Sequence, residues 1–527
     1  MQEPIENKVA DNSSSAPKTK ESLLRKLDKR IMFVPLCCIV ILCFLFSFSP
    51  EKSNTTLENI RNFFSDQLGS YYILMGMGCV LCTMYMAISK YGDIKLGNID
   101  KPQYGTFQWG AMIFTSTMAA DILFFSLHEW ALYYADPHTQ TMGSLQDWAP
   151  TFALSHWGPI PWSFYIVLAI PFGFMLHVRG IKRQKFSEAC HPLIPAKQKN
   201  FWTKTIDIIS VFALLAGTST TFSLATPLLA TATTHILGIE QSRMVTILIL
   251  LTIATVYTIT IWFGMLGVAK LANICVYIFF ILLAYFLFLG NETRYIIETG
   301  ITAIGNLAQN FIRISTWMDP SRTEPSFPQN WTIFYWAYWM AWCIATPFFI
   351  GVISKGRTIR NTVFGGYFWG LAGTFASFII LGNYGLRQQT SGVLDVAGSI
   401  AATGDAYQAI INIFNTLPLP KVALGLLVIT MIAFYATTFD AITMVISSYT
   451  YKQLDHDQEP DKRVRIYWAI LFILLPIALV FAESSRQQLY SLSIIAAFPI
   501  GIIIILIAIS FFKDANKYFQ ENKKQVE

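Results

Sequence analysis

The sequence predicts an all-α polytopic membrane protein with about twelve transmembrane helices, and two observations support that prediction. Hydrophobic residues make up 54% of the 527 residues and charged residues only 13%, and the mean hydropathy is +0.46. Soluble domains carry roughly 25% charged residues. Apolar runs of about 20 residues, the length that crosses a bilayer, also recur along nearly the whole chain. The composition therefore excludes a soluble globular protein.

The apolar runs define twelve predicted spans, which are numbered in chain order. They lie near residues 31–49, 71–89, 109–134, 155–177, 204–235, 242–266, 271–290, 331–353, 362–383, 422–449, 466–483 and 488–511. The segment 291–330 between spans 7 and 8 is hydrophilic. Within it, residues 295–314 have the pattern of an amphipathic helix that lies at the membrane surface.

Lysine and arginine concentrate at alternate ends of these spans. They are frequent in residues 8–30, 179–199, 355–360, 462–465 and 513–524, whereas residues 135–153 contain none. By the positive-inside rule both termini are predicted to be cytoplasmic, which requires an even number of spans. The net charge of +6 is then a topology signal, and no nucleic-acid partner is predicted.

The N-terminal tail, the cysteines and the lack of short catalytic motifs bear on the class of protein. Residues 1–30 are predicted to form a disordered basic tail, and the first apolar run a retained span rather than a cleaved signal peptide. The eight cysteines suggest no disulfide framework, and the pair Cys79-x-x-Cys82 is interpreted as buried small side chains. No His-Glu-x-x-His, Gly-x-Ser-x-Gly or phosphate-binding loop occurs. We therefore predict neither an enzyme nor a cofactor.

Two aromatic clusters lie within the apolar spans. Residues 156–165 read HWGPIPWSFY and residues 331–342 read WTIFYWAYWMAW. At about 100° per residue, one helical stripe of the second cluster holds Trp331, Tyr335, Tyr338, Trp339 and Trp342. Interfacial aromatic belts also produce such clusters. A quaternary ammonium ion, however, has no hydrogen-bond donor, so aromatic faces are its natural partners, each contributing about 0.5–2 kcal/mol. The two clusters together predict a cage for such an ion.

Longer motifs resemble the betaine/choline/carnitine transporter family over nearly the whole chain. They are FPQNWTIFYWAYW (327–339), ISKGRTIR (353–360), the first aromatic cluster, GTS (217–219) with LATP (224–227), and SFFKDA (510–515). The likeness is nearest to the carnitine/γ-butyrobetaine exchanger branch. It implies two five-helix inverted repeats of the LeuT type, 109–290 and 331–511, preceded by two accessory helices in 31–89. It further implies a periplasmic connector at 291–330, a cytoplasmic tail at 512–527 and a homotrimer.

The resemblance also assigns substrate-binding roles residue by residue. The matching aromatic residues are Trp157, Trp162, Tyr165, Trp339 and Trp342. Tyr338 replaces a tryptophan that is usual in the family, and Tyr335 lies one turn away on the same stripe. Ala345 and Thr346 stand where carnitine exchangers have a glutamine and a methionine near the substrate carboxylate. This departure favours choline over carnitine.

Candidate coupling-ion residues follow from spans 3 and 10. They are Thr115 and Met118 in span 3, and Phe434, Thr437 and Thr438 in span 10. Residues 115–121 read TSTMAAD where sodium-coupled members have a glycine-rich unwound segment, although Thr and Ser hydroxyls can satisfy carbonyls freed by unwinding. The two threonines of span 10, with backbone carbonyls, are candidate ligands for Na⁺. The exchangers fill this space with an arginine of span 7, where this chain has Cys275.

Asp121 is the most consequential single residue. A carboxylate in mid-membrane costs about 2.5–3.5 kcal/mol on insertion scales and usually marks an ion or substrate path. Proton-coupled choline members of the family carry an aspartate at this position. Burial favours its neutral form and a bound cation its ionised form, so proton release and substrate binding would be linked. Hydrogen bonding to nearby backbone is the structural alternative, and Glu129 and Asp440 are alternative acids, with Glu129 interpreted as structural.

The sequence thus predicts a secondary active transporter of a trimethylammonium compound in the cytoplasmic (inner) membrane of a bacterium, in contact with membrane lipids and working by alternating access. Choline is favoured among choline, glycine betaine and carnitine. A carnitine/γ-butyrobetaine antiporter is the alternative. Proton coupling through Asp121 ranks first, sodium coupling second and pure exchange third.

Overall fold

The computed structural model describes residues 23–116, 119–322, 327–455, 457–482 and 486–526. Helices build this part of the chain, and pairing between extended segments is limited there to two isolated bridges, Leu27 with Tyr451 and Lys95 with Thr358. The candidate coupling residue Met118 lies outside the described residues.

Each predicted apolar run coincides with a helix or with a broken pair of helices. The helices are Lys29–Phe48 (span 1), Gly69–Ile88 (span 2), Thr106–Thr115 and Ala120–Ala135 (span 3), Leu145–His156 and Pro159–His177 (span 4), Lys199–Leu237 (span 5), Arg243–Ala284 with Tyr285–Leu289 (spans 6 and 7), Pro328–Thr332, Ile333–Trp342 and Thr346–Ile353 (span 8), Ile359–Ser377, Phe378–Gly382 and Asn383–Thr390 (span 9), Pro420–Thr450 (span 10), Lys462–Phe481 (span 11) and Arg486–Val526 (span 12). The connecting helices are Leu23–Lys26, Pro50–Asn62, Phe63–Gln67, Lys90–Asp93, Pro137–Thr141, Phe186–Ala189, His191–Leu193, Ala196–Gln198, Thr293–Thr316, Val396–Thr403 and Ala406–Asn415.

The length and composition of these helices fit a polytopic membrane protein. Within the described residues, eight helices can cross a membrane, and the number rises to eleven if each of three bent pairs counts as one span. A shorter apolar helix, Arg243–Ile259, coincides with predicted span 6. The prediction of an all-α polytopic fold is confirmed.

Several spans begin where a short polar side chain caps the first turn. Asp28 accepts a hydrogen bond from the backbone N–H of Arg30 before span 1, and Asp461 accepts one from Arg463 before span 11. The hydroxyl of Thr358 accepts one from the backbone N–H of Asn361 before span 9. These side chains satisfy N–H groups that a helix start leaves without a partner, which sets where the helices begin.

Spans 6 and 7 form one helical segment, Arg243–Ala284, that cannot be straight. Tyr257 stacks on Phe439 with ring centroids 4.8 Å apart, and Phe279 lies 5.4 Å from Phe434. A straight helix would separate Tyr257 from Phe279 by about 33 Å, whereas Phe434 and Phe439 are less than two turns apart on span 10. The segment is therefore bent, and its two arms occupy neighbouring positions along span 10.

Spans 3 and 8, which open the two predicted repeats, are both broken near their middle. The two halves of span 3 meet at 70° and those of span 8 at 57°. In span 3 the hydroxyls of Thr115 and Ser116 donate to the carbonyls of Met112 and Ile113 at 3.2 and 2.7 Å. Side-chain hydroxyls thus bond to carbonyls of the last turn before the break, in a segment without glycine.

Glycines of span 9 allow two tryptophans of neighbouring spans to pack directly on its backbone. A Cβ atom added to Gly365 would lie 2.4 Å from the ring of Trp109, and one added to Gly370 would lie 2.5 Å from the ring of Trp162. Real Cβ contacts are never this short, so only glycine fits at either position. The backbone of span 9 therefore packs against the ring of Trp162 and fixes its position.

Span 12 continues past the bilayer and is held by an arginine. Its 41 residues correspond to about 61 Å of helix, twice the hydrocarbon thickness of a membrane. Arg179, just after span 4, donates to Asp514 Oδ1 at 3.0 Å and to Glu521 Oε2 at 2.7 Å. The hydrogen bond from Arg179 holds the pKa of Glu521 below its usual value. This contact fastens the end of span 12 to the loop after span 4.

Candidate substrate and ion site

A turn inside span 4 positions the first cage tryptophan. Two residues, Trp157 and Gly158, separate the end of helix Leu145–His156 from the start of helix Pro159–His177, so Trp157 lies in the break. A Cβ atom added to Gly158 would lie 2.4 Å from the carbonyl oxygen of Leu154, so the turn requires glycine there. Pro159 then starts the second helix, where its fixed φ is favourable.

Four aromatic rings surround one point between spans 4 and 8. The ring of Trp339 lies 5.5 Å from Trp157, 5.8 Å from Trp162 and 5.0 Å from Tyr165, measured between ring centroids. The ring planes are inclined to that of Trp339 by 55–71°, so the rings form walls rather than a stack. All four side chains are buried. This arrangement presents aromatic faces to a common space.

That space is a cavity of about 230 Å³. Pockets for drug-sized ligands measure about 300–1,000 Å³, so this one suits a smaller molecule. Its lining comes from spans 3, 4, 8 and 10: Thr115, Ser116, Ala119, Asp121, Ile122, Trp157, Trp162, Tyr165, Tyr338, Trp339, Trp342, Ala345, Thr346, Thr437, Thr438, Ala441 and Ile442. Aromatic rings and hydroxyl groups thus share the cavity with one carboxylate, and none of these lining side chains is basic.

Asp121 lies in the first turn of the second half of span 3, 5% exposed. Its carboxylate accepts hydrogen bonds from the backbone N–H of Ile122 at 3.0 Å and from the hydroxyl of Tyr338. The same hydroxyl is hydrogen-bonded to Thr221 of span 5. The helix N-terminus also favours a negative charge at this point. Asp121 is therefore held by spans 3, 5 and 8 together.

The threonines of span 10 reach the cavity in different ways. Thr437 donates to the carbonyls of Ala433 and Phe434 at 3.2 and 3.1 Å, as threonine in an apolar helix commonly does. Thr438 lines the cavity one residue further on. The Phe434 side chain does not line it, because the ring is buried against Phe279 with centroids 5.4 Å apart. Among the described residues, no group of three His, Cys, Asp or Glu side chains is arranged to hold a metal ion.

Tyr335 is also absent from the cavity lining, although it lies on the predicted stripe. Its ring stacks on His156 at 4.9 Å and contacts Phe125 at 5.6 Å and Trp157 at 6.1 Å. His156, Phe125 and Tyr335 are each at most 2% exposed. They form an aromatic layer that packs against Trp157 of the cage.

Sequence reasoning missed a buried polar network behind Trp157. The indole N–H of Trp157 donates to Glu129 Oε2 at 2.7 Å, and the hydroxyl of Tyr133 donates to Glu129 Oε1 at 2.5 Å. Tyr133 also lies 2.6 Å from His156 Nδ1. The i,i+4 spacing of Glu129 and Tyr133 is a weak signal, and nothing in the sequence connects either residue with span 4. The interpretation of Glu129 as merely structural overlooked its contact with the cage.

Comparisons with known proteins agree with this architecture. A family model described as "BCCT, betaine/carnitine/choline family transporter" matches residues 30–520. The glycine betaine transporter OpuD of Bacillus subtilis is 28% identical over 487 residues, covering 90% of this chain and 92% of its own. A carnitine transporter of Acinetobacter baumannii is 25% identical over 439 residues, 82% of this chain and 79% of its own. A probable glycine betaine transporter of Desulfitobacterium hafniense is 25% identical over 496 residues, 93% and 97% of the two chains.

Proposed function

The chain belongs to the betaine/carnitine/choline transporter family, and we propose that it carries choline by alternating access, coupled to protons. As a member of this family it is a multi-span membrane transporter of small quaternary ammonium compounds and not an enzyme. The observation that supports this most is the position of Asp121 in the same small cavity as four aromatic rings. The rings suit the trimethylammonium group, and the carboxylate supplies an opposite charge.

The charge balance of the cavity favours choline over carboxylated relatives. Glycine betaine and carnitine bring their own carboxylate, which would lie in a cavity that already holds Asp121 and has no lysine, arginine or histidine in its lining. Like charges in a water-poor site repel strongly. Choline brings a hydroxyl group instead, and the cavity offers partners for it in Thr346, Thr437 and Thr438. The small Ala345 in place of a glutamine supports the same choice.

Proton coupling is the proposed mode, with two alternatives. Asp121 can exchange a proton, and its bond to Tyr338 ties its charge state to a side chain of the cavity wall. Sodium coupling ranks second, because the Thr437 hydroxyl is engaged with carbonyls of its own helix. A carnitine/γ-butyrobetaine antiporter is the alternative function, supported by the resemblance of the motifs and by the carnitine transporter among the relatives.

We further propose the cytoplasmic membrane of a bacterium as the location, with both termini in the cytoplasm. The distribution of lysine and arginine between alternate loops supports this orientation. In that orientation the connector helix Thr293–Thr316 lies on the periplasmic side, and the contact of Arg179 with span 12 lies on the cytoplasmic side. Two inverted repeats, spans 3–7 and 8–12, and a homotrimer complete the proposal.

The test is uptake by purified protein in liposomes. Labelled choline, glycine betaine, carnitine and γ-butyrobetaine are each supplied outside vesicles with an imposed proton gradient, sodium gradient or internal counter-substrate. We expect choline accumulation that depends on the imposed proton gradient, and recovery of chemically unchanged choline from sealed vesicles. Accumulation of carnitine that requires internal γ-butyrobetaine would establish the alternative, and a product of new mass would overturn transport altogether.

A matched pair of variants tests the charge argument. Asp121→Asn keeps the shape of the side chain but removes its charge, so we expect it to weaken choline binding more than glycine betaine binding. Asp147→Asn makes the same exchange outside the cavity and should leave both affinities unchanged. Equal losses for the two ligands in Asp121→Asn would contradict the assignment of choline.

A further inference from the structure

A second buried carboxylate, Glu129, lies behind the cage and has no part in the coupling proposed for Asp121. Its side chain is 0% exposed, and each of its two oxygens accepts a hydrogen bond, one from Trp157 and one from Tyr133. Trp157 at the same time lines the substrate cavity. A buried charge is costly even when hydrogen-bonded, so an apolar side chain would fill this space at lower cost. The carboxylate is thus placed where its charge state can affect a wall of the cavity.

The groups beyond Glu129 form a continuous chain of hydrogen bonds. Tyr133 has a single hydroxyl proton and two neighbours that can accept it, Glu129 Oε1 at 2.5 Å and His156 Nδ1 at 2.6 Å. His156 Nε2 lies 3.1 Å from the hydroxyl of Thr332 in span 8. A neutral imidazole carries one N–H, so the protons along this chain all point in one direction or all in the other.

Both directions satisfy every group. With Glu129 ionised, Thr332 donates to His156 Nε2, Nδ1–H donates to Tyr133, and Tyr133 donates to Glu129. With Glu129 protonated, its O–H donates to Tyr133, Tyr133 donates to Nδ1, and Nε2–H donates to Thr332. One proton arriving at Nε2 converts the first arrangement into the second: the Nδ1 proton moves to Tyr133, and the Tyr133 proton moves to Glu129. No heavy atom has to move, and the net change is one added proton.

We propose that Glu129 is a second proton-exchanging site of this transporter, reached through His156 and Tyr133 and linked to the substrate cavity by Trp157. The Thr332 end of the chain connects span 8 to span 4 beside the aromatic layer of His156, Phe125 and Tyr335. In this proposal protons reach Glu129 from the Thr332 end of the chain. A bound cation in the cage favours ionised Glu129, and protonation of Glu129 weakens cation binding. That effect on affinity rests on the proposed quaternary ammonium substrate, whereas the proton site itself does not.

The groups that surround Glu129 allow its charge to change. His156 is the basic partner within ion-pair distance, at 3.9 Å, and its imidazole is neutral in both arrangements of the chain. Tyr335 of span 8 faces Glu129 and Tyr133, and Tyr490 of span 12 faces Tyr133. His128 precedes Glu129 on span 3, where its Nδ1 lies 2.7 Å from the carbonyl of Phe124. None of these named neighbours places a permanent charge beside Glu129, so its carboxyl group can be neutral or ionised.

Infrared difference spectroscopy of the reconstituted protein tests the site without any substrate. Spectra at about pH 5 and about pH 10 bracket the range reported for buried glutamates. We expect the carbonyl stretching band of a protonated carboxyl group to change with pH in the parent and in Asp121→Asn, and this change to be lost in Glu129→Gln. Identical difference spectra for parent and Glu129→Gln would overturn the proposal.

A tyrosine pair keeps the test valid if Glu129→Gln does not fold. Tyr133→Phe removes one hydroxyl and breaks the chain between His156 and Glu129, so the band should shift in frequency and in the pH at which it changes. Tyr134→Phe makes the same exchange one residue away, against Trp130 rather than Glu129, and should leave the band unchanged. Indistinguishable spectra of the two variants would also overturn the proposal.

Uptake kinetics then test the link to the cage. In liposomes the parent should show a KM for choline several-fold higher at about pH 5 outside than at about pH 8, and Tyr133→Phe should lose at least half of this dependence while Tyr134→Phe keeps it. Equal pH dependence in all three would refute the link. If the infrared band behaves as expected but choline is not taken up, the proposed function is contradicted and the proton site at Glu129 is not. If choline is taken up but the band is absent, this inference is contradicted and the proposed function is not.

Discussion

The substitution Trp339→Leu tests the cage most directly, because Trp339 is the ring that contacts the other three. Leucine keeps apolar bulk but removes the aromatic face. The ring lies 5.0–5.8 Å from Trp157, Trp162 and Tyr165, so it is the shared wall of the cavity. A desolvated cation–π contact contributes about 0.5–2 kcal/mol, with tryptophan the strongest partner. Because the side chain is 5% exposed, we take the upper part of that range, about 1–2 kcal/mol, or roughly a five- to thirtyfold loss of affinity.

The assay is calorimetric titration of choline into purified protein, with KM for uptake in liposomes as a second readout. Trp339→Phe retains a ring and should lose less affinity than the leucine variant. Tyr335→Leu removes a ring of the same stripe that does not line the cavity, and it should also lose less. A Trp339→Leu protein with the melting temperature and the choline affinity of the parent would refute the cage.

Four further predictions concern coupling and the end of span 12. Asp121→Asn should abolish the dependence of uptake on the proton gradient and leave downhill exchange at saturating choline largely intact, since the amide cannot titrate; uptake that still follows the proton gradient would contradict the leading mode. If sodium is the coupling ion instead, uptake should follow the sodium gradient and Thr438→Val should weaken that dependence, which parallel flux measurements on parent and variant decide. Arg179→Ala should speed amide hydrogen exchange in residues 514–521, because the side chain loses its bonds to Asp514 and Glu521. The depressed pKa of Glu521 in the folded protein means that its contribution to stability is present above the ordinary glutamate value of about 4.3 and is lost as pH falls through the folded value. Acid should therefore lower the protection factors of the same amides in the parent, measured against the intrinsic exchange rate at each pH. Protection factors that neither acid nor Arg179→Ala changes would show that the contact is not maintained.

The membrane helices could be predicted from the sequence because a span must be both apolar and long enough. The runs near 31–49 and 422–449 became helices Lys29–Phe48 and Pro420–Thr450, within a few residues of the prediction. Composition does not specify bends, however. Residues 242–290 looked like two separate spans, yet their backbone is helical throughout Arg243–Ala284, and its bend is apparent from the contacts of Tyr257 and Phe279 with span 10.

The candidate site was only partly accessible to sequence reasoning. The family resemblance selected rings that do surround one cavity, but it gave no means of pairing Tyr338 with Asp121, which are 217 residues apart. The stripe of span 8 includes both Tyr335 and Trp339, because helical periodicity says which residues share a face and not what lies opposite that face. Tyr335 meets His156, whereas Trp339 meets the cavity. Hydrogen bonds between distant spans depend on packing that no local pattern encodes.

The packing of Trp162 on Gly370 has a consequence for how the cage can diverge. Trp162 and position 370 compete for the same space, because the indole of Trp162 fills the volume that a side chain at position 370 would need. A methyl group at 370 therefore demands a smaller ring at 162, and a smaller ring at 162 leaves a void unless 370 gains bulk. Substitutions at these positions should accordingly be inherited as pairs. A homologue that transports a different substrate can therefore change this wall of the cavity by paired substitutions at positions 162 and 370. No other residue that contacts the substrate has to change.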